Sequence, residues 1–343
     1  MRILLTGGGG FLGGAVAKRL VENGHSVRSF SRGHYPALEA LGVNHVRGDL
    51  GDREAVIAAA KGRDAIVHTA AKAGVWGDEA EYRRANLHGT RNVLAACRAH
   101  QVPRLVYTST PSVVHVDGGI EGGDESLPYT DDPKTPYVAT KIPAEREALG
   151  ADSDRLGVVA LRPHLIWGPG DPHLVPRVIA RGKRGRIALP NGGRQLVDTI
   201  YIDNAADAHV AALERLGPGA DVAGKAYFIS NDEPVPLRRI VLGVLRAAGV
   251  DDPKVVPIPR RVARAVGATL ETVFTAARIQ REPPFTRFVA EQLSTPHWFD
   301  ISAAKRDLEW RPAVSIDEGL ARLADAFAAE RSNHGPARVS RAF

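Results

Sequence analysis

The stretch "LLTGGGGFLG", residues 4–13, joins an apolar run to a helical one. "RILLT" (2–6) has the length and apolar content of a buried strand. "FLGGAVAKRLVENG" (11–24) has helical spacing and ends on Gly24. Between them, Gly7, Gly10 and Gly13 recur three apart. A glycine triplet alone is weak evidence, but strand, tight turn and helix start in succession are the context that gives it meaning. Where side chains are missing, backbone can approach a pyrophosphate, and the first helical turn offers free N–H groups at the positive end of its dipole. The stretch therefore predicts a dinucleotide cradle made by Gly7, Gly10, Phe11, Leu12 and Gly13. The plainer alternative is a glycine turn that only packs helix on strand.

Outward from the cradle, strand-like and helix-like pieces alternate. "HSVRSF" (25–30), "VNHVRGDL", "DAIVHTA", "PRLVYTST" and "VVALRP" (158–163) read as strands, with helical segments between them, including 79–100. Such alternation implies βαβ units and a parallel, doubly wound α/β sheet with right-handed connections. After residue 163 Gly and Pro punctuate the chain and helices dominate. The expected division is a nucleotide-binding domain over 1–163, a smaller, mainly helical substrate-binding region over 164–330 with segments returning to the first core, and a disordered tail over 331–343. In the second region, Asp203 is placed to cap the helix "DNAADAHVAALERL". The stretch 260–281 is amphipathic. It reads as a helix packed on its own domain, or more sharply as a lid over an apolar substrate or a peripheral membrane contact.

Bulk properties narrow the function. Net charge is +6 in 343 residues, but the positive residues are mostly Arg and are spread out, with no run of five. No nucleic-acid motif accompanies them, so no nucleic-acid partner is expected. The single Cys97 excludes an intrachain disulfide and suits a reducing, cytoplasmic setting. "MRILLTGG" lacks a secretory pattern, no run of 18 apolar residues could span a membrane, and no metal site is expected.

At the end of the second strand, a carboxylate would accept the ribose hydroxyls of NAD. This chain has Ser31 followed by Arg32. An arginine can grip a 2′-phosphate that a carboxylate would repel, so NADP(H) is the expected cofactor. Further on, "TPYVATK" (135–141) sets Tyr137 and Lys141 four apart, on one helical face, with Pro136 in the first turn. A free phenol titrates near 10, and a neighbouring ammonium lowers that. Alone, the spacing is equally that of two surface residues.

Four features coincide: TGGxGFLG, "GDL" after the third strand, "HTAAKAG" after the fourth, and TPYVATK. Together they resemble the extended short-chain dehydrogenase/reductase family, in its 3β-hydroxysteroid dehydrogenase-like branch, over about residues 1–330. "LRPHLIWGPGD" (161–171) and "SAAKRDLEWRP" (302–312) are similar to later landmarks of that family. Within the branch, "TSTPSVVH", "YFISNDEP" and "TPHW" look like reductases of 3-keto acids in bacterial olefin biosynthesis.

The resemblance implies a Rossmann fold and an oxidoreductase. Tyr137 would be the proton donor to a substrate carbonyl, and Lys141 would lower its pKa and bind the nicotinamide ribose. Thr110 would be the third catalytic hydroxyl, with Ser109 as the alternative, since the family more often has Ser there. Asp49, Leu50, Ala70, Ala71, Lys72, Pro163 and His164 would join the cofactor site, and Asn86 would support the end of the fourth strand. The substrate implied is an apolar acyl chain or 3-keto acid. Trp76 is a candidate wall for it, and His115, Arg177 and Arg287 are candidates for its carboxylate. The resemblance also implies a homodimer through helices 79–100 and 136–149, and partner enzymes of the olefin pathway. The alternatives are a 3β-hydroxysteroid-type dehydrogenase, a sugar-nucleotide epimerase or dehydratase, and a non-enzymatic NADP sensor. A dehydratase needs an acidic pair where Pro111 and Ser112 stand, and a sensor typically lacks the Tyr or the Lys, whereas both are present.

Overall fold

The computed structural model describes residues 1–182, 185–250, 253–279 and 281–334. Seven parallel strands form its main sheet: β1 (Arg2–Thr6), β2 (Ser26–Ser31), β3 (Asn44–Arg47), β4 (Ala65–His68), β5 (Arg104–Thr108), β6 (Gly157–Pro163) and β7 (Lys225–Ile229). Their spatial order is β7-β6-β5-β4-β1-β2-β3. The order reverses between β1 and β4, and in open α/β sheets a ligand crevice forms at such a switch point, beyond the carboxyl ends of the strands. The central strands are buried on both faces, as their continuous apolar runs require.

Helices cover both faces of the sheet. On one side α1 (Phe11–Glu22) packs on α4 (Ile202–Arg215). On the other, α2 (Gly89–His100) lies beside α3 (Pro136–Leu149), which carries the Tyr and Lys of the TPYVATK stretch. Each layer closes over its own apolar core. Cys97 is on the buried face of α2, where loss of solvation pushes its thiol up to about 12. A third core gathers around Trp167, Tyr201, Leu237 and Leu245 in the second half of the chain. There a smaller sheet joins Val235–Pro236, Leu196–Val197, His297–Phe299 and Ile120–Gly123, in that order.

Several details depart from the sequence reading. The seventh strand comes from beyond residue 163, where helices were expected to dominate, and it pairs with β6. Asp203 does not cap its helix: Tyr201 precedes the first turn, and the Asp203 carboxylate instead faces Arg19 and Arg322. The 79–100 helix is interrupted by a π segment over Arg83–His88, which shifts the face presented to the core. The amphipathic helix, α5 (Arg260–Ala276), stops before residue 281, because Arg278 turns to a left-handed φ of 53°. It packs against the short α6 (Arg287–Gln292). Residues 331–334 belong to the last helix, α7 (Ile316–His334), rather than to a tail, and 335–343 lie outside the described residues.

Candidate active site

The glycine turn leads from β1 into α1. Gly7 has φ +76°, and a Cβ there would meet Ala70 backbone at 2.7 Å. At Gly13 a Cβ would lie 2.0 Å from the Gly7 carbonyl oxygen, so glycine holds the helix close to the turn. At Gly10 the nearest atom would be 3.3 Å away, and the residue is exposed. Neither an acidic side chain nor a side-chain cap occupies the first turn of α1, so its N–H groups are open to an anion. The Phe11 and Leu12 side chains pack inward on the third core, leaving their backbone at the rim.

At the end of β2, Ser31 Oγ is buried without a hydrogen-bond partner among the described residues. Arg32 is exposed, with no carboxylate partner among the described residues. An orphaned hydroxyl and an unpaired guanidinium at this position fit a phosphorylated ribose. Tyr35, which no motif singles out, lies over Gly9 and Gly33 and meets His45 edge-on at 5.5 Å. Asp49 accepts from Gly51 N at 2.8 Å and pairs with Arg84 at 3.0 Å. Leu50 packs against Gly89, and its carbonyl accepts from Asn92.

The loop after β4 is held by a polar chain. Thr90 donates to the Asn86 carbonyl, so it accepts from His68 Nε2–H at 3.2 Å; His68 Nδ1 then accepts from the Thr6 hydroxyl at 2.6 Å. Burial pushes His68 down to about 3, keeping it neutral. Ala70 N in turn donates to Thr6 Oγ1. Asn86, on the π segment, accepts from Lys72 N at 2.7 Å and donates to the Lys72 carbonyl and to Thr140 Oγ1. It thereby ties the loop Ala70–Ala71–Lys72 to α3. The Lys72 ammonium itself pairs with Glu81.

On α3, Thr135 caps the first turn by accepting from Val138 N, and Pro136 takes the next position. Tyr137 and Lys141 follow on one face. Burial raises the Tyr137 phenol to about 12, opposed by a polar contact with the Thr110 side chain. Among the described residues Ser109 Oγ is buried without a partner, while Thr110 Oγ1 accepts from Ser112 N at 3.3 Å and is the hydroxyl that opposes the rise of the Tyr137 phenol. Lys141 is 2% exposed. Its ammonium donates to the Thr108 carbonyl at 2.6 Å and sits 4.2 Å from the Tyr107 ring centroid. Desolvation lowers it to about 7, opposed by Glu145. One turn further, Glu145 and Arg162 form a buried ion pair, with Tyr129 donating to the same carboxylate.

His164, at the end of β6 beside Pro163, is buried against His297 at 2.7 Å. His297 Nε2 donates to the Gln292 carbonyl, so its Nδ1 accepts from His164 Nε2–H; burial holds both rings neutral. That contact spans 133 residues, and no local signal announces it.

Beyond Pro136 opens a cleft of about 890 Å³. Trp76, His115 and Arg287 line it, together with Phe274, Ile279 and Phe288. Trp76 Nε1 donates to the Ile279 carbonyl at 3.5 Å, joining the loop after β4 to the turn after α5. Arg177 does not line this cleft and pairs with Glu282 at 3.0 Å, while Arg287 is committed to Glu271. His115 is buried and accepts from Gln292 Nε2 at 3.3 Å through Nδ1, and its Nε2 has no partner among the described residues. Among the described residues no cluster of His, Cys, Asp and Glu could hold a metal, and no helix is long and apolar enough to cross a membrane.

Known proteins share this arrangement of sheet and helices. The model of the 3-beta hydroxysteroid dehydrogenase/isomerase family matches residues 4–260. The 2-alkyl-3-oxoalkanoate reductase of Stenotrophomonas maltophilia (strain K279a) is 53% identical over 332 residues, 96% of this chain and 100% of that protein. The decarboxylating sterol-4-alpha-carboxylate 3-dehydrogenase of Mus musculus is 32% identical over 325 residues, covering 94% and 89% of the two chains. Among solved structures, the Thermus thermophilus UDP-glucose 4-epimerase complex with NAD superposes with a TM-score of 0.74 at 26% identity, over 96% of this chain and 100% of that one.

Proposed function

The chain belongs to the 3-beta hydroxysteroid dehydrogenase/isomerase family and is an oxidoreductase of hydroxyl and keto groups, and on that premise we propose that it reduces a 2-alkyl-3-oxo acid to the 2-alkyl-3-hydroxy acid with NADPH. The observation that carries the proposal is Tyr137, one helical turn from buried Lys141 and beside the cleft that Pro136 lines, with the Thr110 side chain opposing the rise of its phenol. Bound NADPH would supply the hydride. Gly7, Gly10, Gly13 and the first-turn N–H groups would hold its pyrophosphate, Ser31 and Arg32 its ribose phosphate, and the Asp49–Leu50 and Ala70–Lys72 backbones its flanks. Pro163 and His164 would meet the nicotinamide end.

The chain's own residues do the rest. Thr110 and Tyr137 hydrogen-bond the carbonyl oxygen as negative charge grows on it, and Tyr137 delivers the proton. A phenol raised to about 12 is a reluctant proton donor, and the Thr110 side chain is the group that opposes that rise. Both relatives' names place a carboxylate on the carbon next to the reacting one. Of the three candidates for that carboxylate we favour His115, whose Nε2 has no partner among the described residues, whereas Arg177 and Arg287 are already ion-paired; Arg264 and Arg278 line the same cleft and have no carboxylate partner among the described residues. Trp76, Phe274 and Phe288 would wall the alkyl chains. The product would feed long-chain olefin biosynthesis, in association with partner enzymes and as a homodimer of a cytoplasmic protein.

The test is nicotinamide absorbance on purified protein, run in the oxidising direction because the 3-keto acid loses CO₂ readily. A synthetic 2-alkyl-3-hydroxyalkanoic acid should reduce NADP far faster than NAD. Turnover of a 3β-hydroxysteroid but not of the acid would instead favour the steroid-type reading of the same site.

A further inference from the structure

The loop after β4 faces two ways. Its start, at Ala70, lies against the Gly7 turn, and its end, Val75 to Asp78, lines the cleft. The two halves are held differently. Asn86 fixes both backbone groups of Lys72. Among the described residues no backbone–backbone hydrogen bond reaches residues 73–77. What holds that half is Tyr82, a fully buried side chain at the end of the short helix Glu79–Tyr82. Its hydroxyl donates to the Trp76 carbonyl at 3.0 Å and lies 3.4 Å from the Ala73 carbonyl. A Cβ at Gly74, where φ is +117°, would come within 3.0 Å of the same oxygen, so the loop curls closely around the phenol. On its other side the Trp76 indole donates to the Ile279 carbonyl. The Lys72 ammonium sits 4.9 Å from the Tyr82 ring centroid, a cation–π contact that does not involve the hydroxyl.

We propose that Tyr82 is a positioning residue whose hydroxyl sets the Trp76 wall of the cleft, and through that wall the selectivity for acids with a long alkyl branch. The proposal rests on the reading of Trp76 as a wall for the substrate's alkyl chains. Tyr82 does not itself line the cleft, so it acts on substrate through the loop. An indole tethered on both sides presents a fixed apolar face, and a chain that packs on it need not order the wall as it binds. Without the phenolic donor, residues 73–77 lose the bond that ties them to the helix, and a long chain would have to order them itself, with a loss of affinity. A short branch that does not reach Trp76 gains nothing from that order. Because Asn86 holds Lys72 independently, the half of the loop nearest the glycine turn keeps its place.

Tyr82→Phe tests it, since it keeps the ring and removes the hydroxyl. In oxidation of a long-branched 2-alkyl-3-hydroxy acid, KM should rise about 3–10-fold, the worth of one hydrogen bond. The kcat, the Kd for NADPH and the KM for a short-branched acid should stay as in the wild type. Gly74→Ala, which crowds the loop away from an intact phenol, should show the same split and covers the case in which Tyr82→Phe does not fold. Acrylamide quenching of tryptophan fluorescence should increase in Tyr82→Phe, and the increase should vanish in a Trp76→Phe background. An unchanged KM for the long acid, or equal rises for both acids, overturns the proposal. So does a fall in kcat, because Tyr82 would then act on Tyr137, whose phenol it helps to raise. A wild type that oxidises no hydroxy acid refutes the substrate reading instead. Quenching then decides the tether, and no increase in Tyr82→Phe overturns that as well.

Discussion

Lys141→Met should make the protein more stable and inactive. Lys141 reaches the carboxyl end of β5 and is 2% exposed, and burial lowers its ammonium from 10.5 to about 7. At pH 7 the unfolded chain carries this proton fully and the folded chain about half the time. The mismatch opposes folding by on the order of 4 kcal/mol, taking about 1.36 kcal/mol per tenfold change in proton affinity. Methionine has similar length and no charge, so it removes that penalty. It also leaves the Thr108 carbonyl without its donor, at a cost of about 1–3 kcal/mol. The net gain is about 1–3 kcal/mol, a rise in Tm of a few degrees, measured by differential scanning fluorimetry without nucleotide. The pH dependence gives the decisive signature. Because the folded pKa is depressed, the unfolded chain binds more protons between about pH 7 and 10.5, and wild-type stability rises with pH across that window. At about pH 9 the penalty has fallen to roughly 2 kcal/mol, comparable with the cost of the lost hydrogen bond. The advantage of Lys141→Met should therefore vanish near pH 9 and reverse by about pH 10. A Tm at pH 7 below that of the wild type, or a difference that does not change with pH, would refute the desolvation argument.

The other predictions concern chemistry and packing. Tyr137→Phe should bind NADPH normally, by fluorescence titration, yet lose about 10²–10⁴ in turnover. Arg32→Ala should cut the preference for NADPH over NADH by about 10–100-fold in kcat/KM, the worth of one or two charge-assisted hydrogen bonds; an unchanged ratio would remove Arg32 from the site. Thr110→Ala should reduce turnover far more than Ser109→Ala, because Thr110 is the hydroxyl that acts on the phenol. Glu145→Ala should cost about 3–5 kcal/mol, read from denaturant midpoints, because it strands Arg162 in the interior.

The fold was legible where short-range chemistry dictates it. A strand that runs into glycines and then a helix admits few geometries, and the atom that excludes a Cβ at Gly13 belongs to Gly7, in the same turn. Tyr137 and Lys141 were legible for the same reason, since helical spacing puts them on one face. What that spacing could not show is where the ammonium goes. It bonds the Thr108 carbonyl, and Thr110 rather than Lys141 is the group that opposes the rise of the phenol. The seventh strand was not legible either. "KAYFI" carries no mark of its own, and its place beside β6 depends on pairing with residues far back in the chain. The π segment was hidden too: it changes hydrogen-bond register without changing composition, and Asn86, which lies on it, reaches Lys72 and Thr140.

The candidate substrate residues show where reading charge from sequence stops. Arg177, Arg287 and His115 were equivalent as cations near an anionic group. What separates them is their partners, and for two of them those come from distant segments: Glu282 is 105 residues from Arg177, and Gln292 is 177 from His115. An arginine already paired offers a substrate carboxylate only a share of its charge, and recruiting it means breaking an existing bond. A neutral histidine with one nitrogen engaged and the other free offers a whole donor at no such cost. Of these three, the residue with the least charge is therefore the one left open, a distinction that composition and spacing hide, while the cleft also carries Arg264 and Arg278 without a carboxylate partner among the described residues.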